Sequence, residues 1–102
     1  VSKSEMRRIA DMADTHYMQV AAHNPASIVG SVASAQVAAT IRGFTVLERC
    51  GEDLDWYEDL VLHDQPLIQD GYLVLPDGPG LGIELNPDVV QEHLAPGETY
   101  WE

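Results

Sequence analysis

Two short apolar runs, Val20-Ala21-Ala22-His23 and Phe44-Thr45-Val46-Leu47-Glu48, each end on a side chain that can carry a proton. Between them lies a stretch of small residues at helical spacing. Short apolar runs bounded by turn residues read as buried strands, so the pattern is strand, helix, strand. A helical crossover joins parallel strands, because a tight hairpin cannot. The arrangement predicts that His23 and Glu48 share the carboxyl edge of one parallel sheet. Open α/β sheets and α/β barrels build their sites at that edge.

The flanking sequence extends this α/β repeat. Ser2-Lys3-Ser4-Glu5 is a capping-box pattern and predicts a helix over 2–16. Met6, Ile9, Ala10, Ala13 and Tyr17 fall on one side of it, and Lys3, Arg7, Arg8, Asp11 and Asp14 on the other. A strand over 19–22 ends at His23-Asn24-Pro25, because the residue before proline resists the helical region. A second helix over 27–42 carries a stripe of Val29, Val32, Ala33, Val37 and Ile41, and Gly43 suits the left-handed position just past its end. The next strand covers 44–47.

Beyond Cys50 the character changes. Residues 51–59 read as an acidic loop or one short helical turn around Trp56. Asp70-Gly71, Asp77-Gly78 and Asn86-Pro87 punctuate strands over 72–75 and 82–85. A last helix is expected over 87–94, followed by an irregular tail over 96–102.

At 102 residues and 45% apolar content the chain makes at most one small domain. A net charge of −12 argues against nucleic acid or an anionic membrane as partner. A single cysteine, Cys50, cannot form an internal disulfide and fits a reducing compartment. No apolar run reaches the length of a membrane span, and the start lacks a signal-peptide pattern. Two parallel strands cannot close a barrel, and a parallel sheet needs both faces covered. The chain, which opens on Val1 rather than Met, therefore reads as part of a longer protein whose other strands complete the sheet.

Among the chemically capable residues, His23 suits a general base working near neutral pH, or simply a hydrogen-bonding strand end. Glu48 is the second strand-end group able to move a proton, or simply a carboxylate paired with Arg42 or Arg49. Asn24 either orients His23, touches substrate or caps the following helix. Gly78, Gly80 and Gly82 do not open a helix after a strand, so they read as turn residues rather than a phosphate loop. His16, His63 and His93 read as surface or interface residues. Asp53, Asp55, Glu58 and Asp59 read as a solvated loop, and Cys50 as a packing residue.

Four segments carry a family resemblance: Ser4-Glu5-Met6-Arg7-Arg8-Ile9-Ala10-Asp11-Met12-Ala13, Val20-Ala21-Ala22-His23-Asn24-Pro25, Val46-Leu47-Glu48, and Asp77-Gly78-Pro79-Gly80-Leu81-Gly82-Ile83-Glu84-Leu85. In this order they resemble the end of an enolase-superfamily barrel of the mandelate racemase subgroup, with its acid-sugar dehydratases of the galactonate dehydratase type. The implied fold class is α/β: the C-terminal strands and helices of a (β/α)7β TIM-like barrel plus the segment returning to the capping domain. Residues 1–50 would form the last two β/α units, and 51–102 a segment packing on barrel and capping domain. Trp56, Tyr57 and Trp101 would then cover the barrel or meet another subunit. Val1-Ser2-Lys3 stands where the family usually has a Gly-Gly pair, and Ala26-Ser27-Ile28-Val29 replaces a common Asn-Gly-Pro-Val.

The implied activity is Mg²⁺-dependent dehydration of a sugar acid to a 2-keto-3-deoxy acid through an enediolate. His23 would abstract the α-proton, Glu48 would hydrogen-bond the substrate carboxylate and Asn24 would bind substrate. The Mg²⁺ ligands and the aspartate that partners His23 are expected outside this segment. Racemisation or epimerisation, cycloisomerisation and a non-catalytic structural remnant remain as alternatives. The implied partners are the sugar acid, the remainder of the barrel and capping domain, and further copies of the same cytoplasmic protein.

Overall fold

The computed structural model describes residues 2–50 and 54–101. Helix α1 spans Lys3–Thr15, strand β1 Val20–Ala22, helix α2 Ile28–Ala38 and strand β2 Phe44–Leu47. Strands β3 (Ile68–Gln69) and β4 (Tyr72–Leu73) and helix α3 (Pro87–Glu92) follow.

Both halves of the expected capping box form at α1. The Glu5 N–H donates to Ser2 Oγ at 3.2 Å, and the Ser2 N–H donates to Glu5 Oε2 at 2.8 Å. That backbone donor at Ser2 holds the Glu5 carboxyl below its ordinary value. One turn on, Arg7 pairs with Asp11 at 2.9 Å and also donates to the Thr40 carbonyl at 2.9 Å, tying α1 to the chain leaving α2. Ala10 is buried, whereas Ile9 and Tyr17, expected on the inner face, are exposed. Tyr17 lies past the helix end with φ of 56°, which swings it out of the apolar stripe.

β1 and β2 pair in parallel, with Val20 opposite Phe44, Ala21 opposite Val46 and Ala22 opposite Leu47. An irregularity between Val20 and Ala21 absorbs the extra residue. α2 is shorter than the expected 27–42. The Thr40 N–H and hydroxyl both bond the Val37 carbonyl, at 2.9 and 2.7 Å, and the Ile41 N–H bonds the Ala38 carbonyl at 3.0 Å. These three-residue bonds end the helix and release the chain toward β2. Gly43 does not take the left-handed conformation expected of it. A Cβ there would lie 3.2 Å from the Met18 carbonyl, so close backbone approach is the constraint.

The inward face of α2 also differs from the expected valine stripe. Ile28, Ser31, Val32, Ala35 and Ala38 are buried. A helix made of Ala, Val, Ile, Ser and Gly with Gln36 as its one long polar side chain is apolar nearly all round, so the sequence does not select its inner face. Ile28 and Val32 join Tyr57 and Val61 in the core, packed against Leu60, Leu67, Ile68, Leu73 and Ile83. Small side chains let the two halves of the chain meet there.

In the second half, Asp70 and Gly71, with φ of 50° and 80°, form the two-residue turn joining β3 to β4. Two successive positive φ values match the right-handed twist of a hairpin and explain the Asp-Gly pair. The strand expected over 72–75 is shortened to Tyr72–Leu73, and its partner β3 was not anticipated. The expected strand over 82–85 is reduced to an antiparallel bridge between Leu85 and Val61. α3 starts at Pro87 as expected but stops at Glu92. Of the expected acidic loop, 51–53 lie outside the described residues; 55–60 form turns, with the Tyr57 N–H bonded to the Leu54 carbonyl at 3.0 Å. Glu58 is not merely solvated: its Oε2 accepts the N–H groups of Leu67 and Ile68, at 2.8 and 3.3 Å, at the start of β3.

Two outcomes test this description. A Cβ on Gly30 would lie 2.4 Å from the Ala26 Cβ. Gly30→Ala should therefore destabilise by about 1–3 kcal/mol through overpacking, despite a helix-propensity gain of about 1 kcal/mol. Ala26→Gly in the same background should restore part of the loss in chemical denaturation. The Ser2–Glu5 interaction is fully present above the ordinary glutamate value of about 4.3 and is lost as pH falls through the lower folded value. An NMR titration should place the Glu5 midpoint below the free-peptide value, and Ser2→Ala, which removes the hydroxyl but keeps the backbone donor, should return it only in part.

Candidate functional site

The parallel ladder runs one step past the strands: the Glu48 N–H donates to the Ala22 carbonyl at 2.9 Å. His23 and Glu48 are the next residues on either chain, and this bond holds their backbones side by side. Their side chains meet, with His23 Nδ1 hydrogen-bonded to Glu48 Oε2. When the carboxylate is ionised it can only accept, and Nδ1 then carries the proton. A neutral ring in that tautomer has its lone pair at Nε2. Its side chains are 69% and 55% exposed, so the edge is open to water. Arg42, a possible ion-pair partner of Glu48 from the sequence, instead approaches Asp14 at 4.0 Å.

Asn24 is buried, at 3% exposure. It does not cap α2, whose N-cap is Ser27. Its Nδ2 donates to Ser31 Oγ at 2.7 Å. Ser31 Oγ lies 2.7 Å from Tyr57 Oη, and Tyr57 Oη donates to the Ala26 carbonyl at 2.9 Å. Since the tyrosine proton goes to Ala26, the serine proton goes to Tyr57, and each hydrogen of the chain is used once. Tyr57 also faces Arg49, whose guanidinium carbon lies 5.0 Å from the ring centroid. Sequence reasoning placed Tyr57 on a cover or interface and missed this network. Ser31, one of two serines inside an Ala/Val-rich helix, was the available signal, since a buried hydroxyl needs a partner.

Two cavities flank the strands. One, of about 340 Å³, lies against β2 and the β3–β4 hairpin and is lined by residues including Asn24, Ser31, Phe44, Arg49 and Leu73. The other, of about 530 Å³, lies between α1, β1 and α2 and is lined by residues including Met6, His23, Asn24 and Ser34. His23 lines the second, Asn24 lines both and Glu48 lines neither. Gly78, Gly80 and Gly82 lie outside both cavities, and Gly80 and Gly82 take positive φ in a turn. His93 stacks on Trp56 with ring centroids 4.1 Å apart, and His63 approaches Asp59 at 3.7 Å. Cys50 is a free, exposed thiol, and Trp101 is exposed beside Tyr100. Among the described residues no group of three His, Cys, Asp or Glu side chains could hold a metal ion. No helix of the described residues is long and apolar enough to cross a membrane.

Residues 3–89 match the family described as Enolase C-terminal domain-like. The chain is 48% identical over 98 residues to D-xylonate dehydratase of Haloferax volcanii, covering 96% of this chain and 24% of that protein. A mandelate racemase/muconate lactonizing enzyme-like protein from Rubrobacter xylanophilus shares its structure with a TM-score of 0.91 at 38% identity, over 98% of this chain and 26% of that one. A candidate mandelate racemase/muconate lactonizing enzyme from Burkholderia SAR-1 gives a TM-score of 0.78 at 33% identity, over 96% of this chain and 24% of that one. The chain therefore belongs to the enolase superfamily, as a small α/β unit matching the C-terminal domain of its mandelate racemase/muconate lactonizing enzyme subgroup. It spans about a quarter of the length of the relatives it matches.

Ser31→Ala would orphan the Asn24 Nδ2 and remove the bond that Tyr57 Oη accepts, leaving Tyr57 its bond to the Ala26 carbonyl. It should destabilise by about 1–3 kcal/mol, the cost of a buried group left without a partner. Combined with Tyr57→Phe, the loss in denaturant unfolding should be less than the sum of the single changes, because both break one chain.

Proposed function

We propose that this chain is the C-terminal part of an acid-sugar dehydratase, which removes water from a sugar acid to give a 2-keto-3-deoxy acid. The observation that carries the reading is the His23–Glu48 pair at the carboxyl edge of a parallel sheet, in a chain 48% identical to a D-xylonate dehydratase. That relative makes an aldonate, a linear sugar acid with a hydroxyl beside the carboxylate, the favoured substrate class. In this proposal residues 1–50 form the last two β/α units of a (β/α)7β barrel, and 51–102 pack on the barrel and its capping domain. Exposed apolar side chains such as Ile9, Met12 and Val46 would meet the remainder of the enzyme or a further copy in the cytoplasm.

His23 Nε2 takes the proton from the carbon beside the carboxylate, and Glu48 holds the ring through Nδ1 so that Nε2 stays basic. The bonding pair of the broken C–H bond moves into the carboxylate, giving an enediolate. The second oxygen of Glu48, when protonated, donates a hydrogen bond to that developing charge. Expulsion of the β-hydroxyl, with a proton from an acid assigned outside this chain, leaves an enol that becomes the 2-keto product. Asn24 stands beside His23 and is retained as a substrate-side group through the cavities it lines. Superfamily chemistry uses a divalent metal, for which Mg²⁺ is proposed. The described side chains do not fit such an ion, so its ligands are assigned to the rest of the enzyme.

In the assembled enzyme, His23→Asn should cut exchange of the α-proton of an aldonate in D₂O by about 10²–10⁴-fold, the usual contribution of a general base. Exchange at near the parental rate would remove His23 from the role. Glu48→Gln should lower kcat far more than it raises KM, because its hydrogen bond strengthens toward the enediolate. A rise in KM alone would make Glu48 a binding group.

A further inference from the structure

Both candidate groups sit on strand ends, and the residue after each one is linked to the same side chain, directly from Arg49 and through Ser31 from Asn24. Asn24, next to His23, reaches Tyr57 through Ser31 by bonds of 2.7 and 2.7 Å. Arg49, next to Glu48, stacks on the Tyr57 ring at 5.0 Å. Tyr57 also donates to the Ala26 carbonyl, so the His23–Ala26 exit from β1 is gripped at Asn24 and at Ala26. Pro25 between these two points has a fixed φ and confines Asn24 to extended backbone. Asn24, Ser31 and Tyr57 are 3%, 1% and 4% exposed, so water cannot replace the bonds.

We infer that Tyr57 is a positioning residue that sets His23 against Glu48 by holding both strand exits at once. This rests on the dehydratase reading above, and it gives the segment after residue 53 a part in the reaction beyond packing. The ring does one half of the work and the hydroxyl the other. The hydroxyl fixes the exit carrying His23, and the ring face fixes the exit carrying Glu48. The Asn24–Ser31–Tyr57–Ala26 chain has every proton donated in one direction, which lets the bonds reinforce one another. A base displaced by about 1 Å can lose on the order of 10²-fold in rate, so a modest relaxation of this clamp is enough to be read in turnover.

The test uses the assembled enzyme, an aldonate substrate and three variants. Tyr57→Phe keeps the ring over Arg49 and removes only the hydroxyl; Ser31→Ala breaks the same chain from the helix side. Each should lower kcat for α-proton abstraction by about tenfold or more with KM within about twofold, and the double variant should lose no more than the worse single one. Tyr57→Leu, which removes the stacking as well, should lose further. The inference is overturned if the variants melt earlier yet keep parental kcat per folded molecule, if KM alone changes, or if both single variants fail to fold, which would make the network a folding determinant only. His23→Asn in parallel separates the two readings. Undiminished exchange in that variant removes His23 as the base, and with it the reading on which the clamp rests. Lost exchange there with parental kcat in Tyr57→Phe removes only the clamp.

Discussion

The arrangement depends on the parallel pairing of β1 with β2, framed by two backbone bonds. The Val20 N–H reaches the Gly43 carbonyl at 2.8 Å, and the Glu48 N–H reaches the Ala22 carbonyl at 2.9 Å. The second bond uses the backbone of a candidate catalytic residue, so Glu48 cannot shift along β1 without breaking it. Side chains alternate between the faces of a sheet, and a slip of one residue would turn His23 or Glu48 away from the other. The irregularity between Val20 and Ala21 is therefore part of the site: it brings Ala22 into register with Leu47 and so His23 beside Glu48.

A polar chain through the core then fixes what the ladder leaves loose. Ile28, Val32, Tyr57 and Val61 supply apolar burial, which is non-directional and tolerates small displacements. Hydrogen bonds between Asn24, Ser31, Tyr57 and the Ala26 carbonyl are directional and hold the β1 exit to one geometry. The small residues of α2 are what make this possible. Ser31 can reach Tyr57 only because its helix lies close to the segment that carries the tyrosine.

Solvent limits what the His23–Glu48 pair can do at this edge. At 69% and 55% exposure the two side chains sit in high dielectric, where an ion pair is worth little. A hydrogen bond to an enediolate gains strength in a dry cavity. The proposed chemistry therefore depends on protein surfaces that cover this edge. Relatives about four times as long as this chain fit that requirement.

Local signals were legible in the sequence wherever the cause was local. Ser2 and Glu5 specified their own helix start, Asp70-Gly71 marked the turn before Tyr72, and the apolar run at 44–47 formed β2 with those limits. The strand–helix–strand order also implied the parallel pair and the shared edge of His23 and Glu48, since a crossover helix allows no other simple pairing. That order did not specify the hydrogen bond between the two side chains. Tertiary structure decided the rest. α2 is apolar nearly all round, so only its neighbours selected Ile28, Ser31, Val32 and Ala35 as its inner face. The strand expected over 82–85 shrank to a bridge because its partner at Val61 offers a single paired position. Asn24 turned inward, and Tyr57 came to grip both strand exits, through contacts spanning 7, 31 and 26 residues of chain. Local propensity carries no information about such partners, because a hydroxyl in a helix does not specify which distant donor or acceptor will meet it.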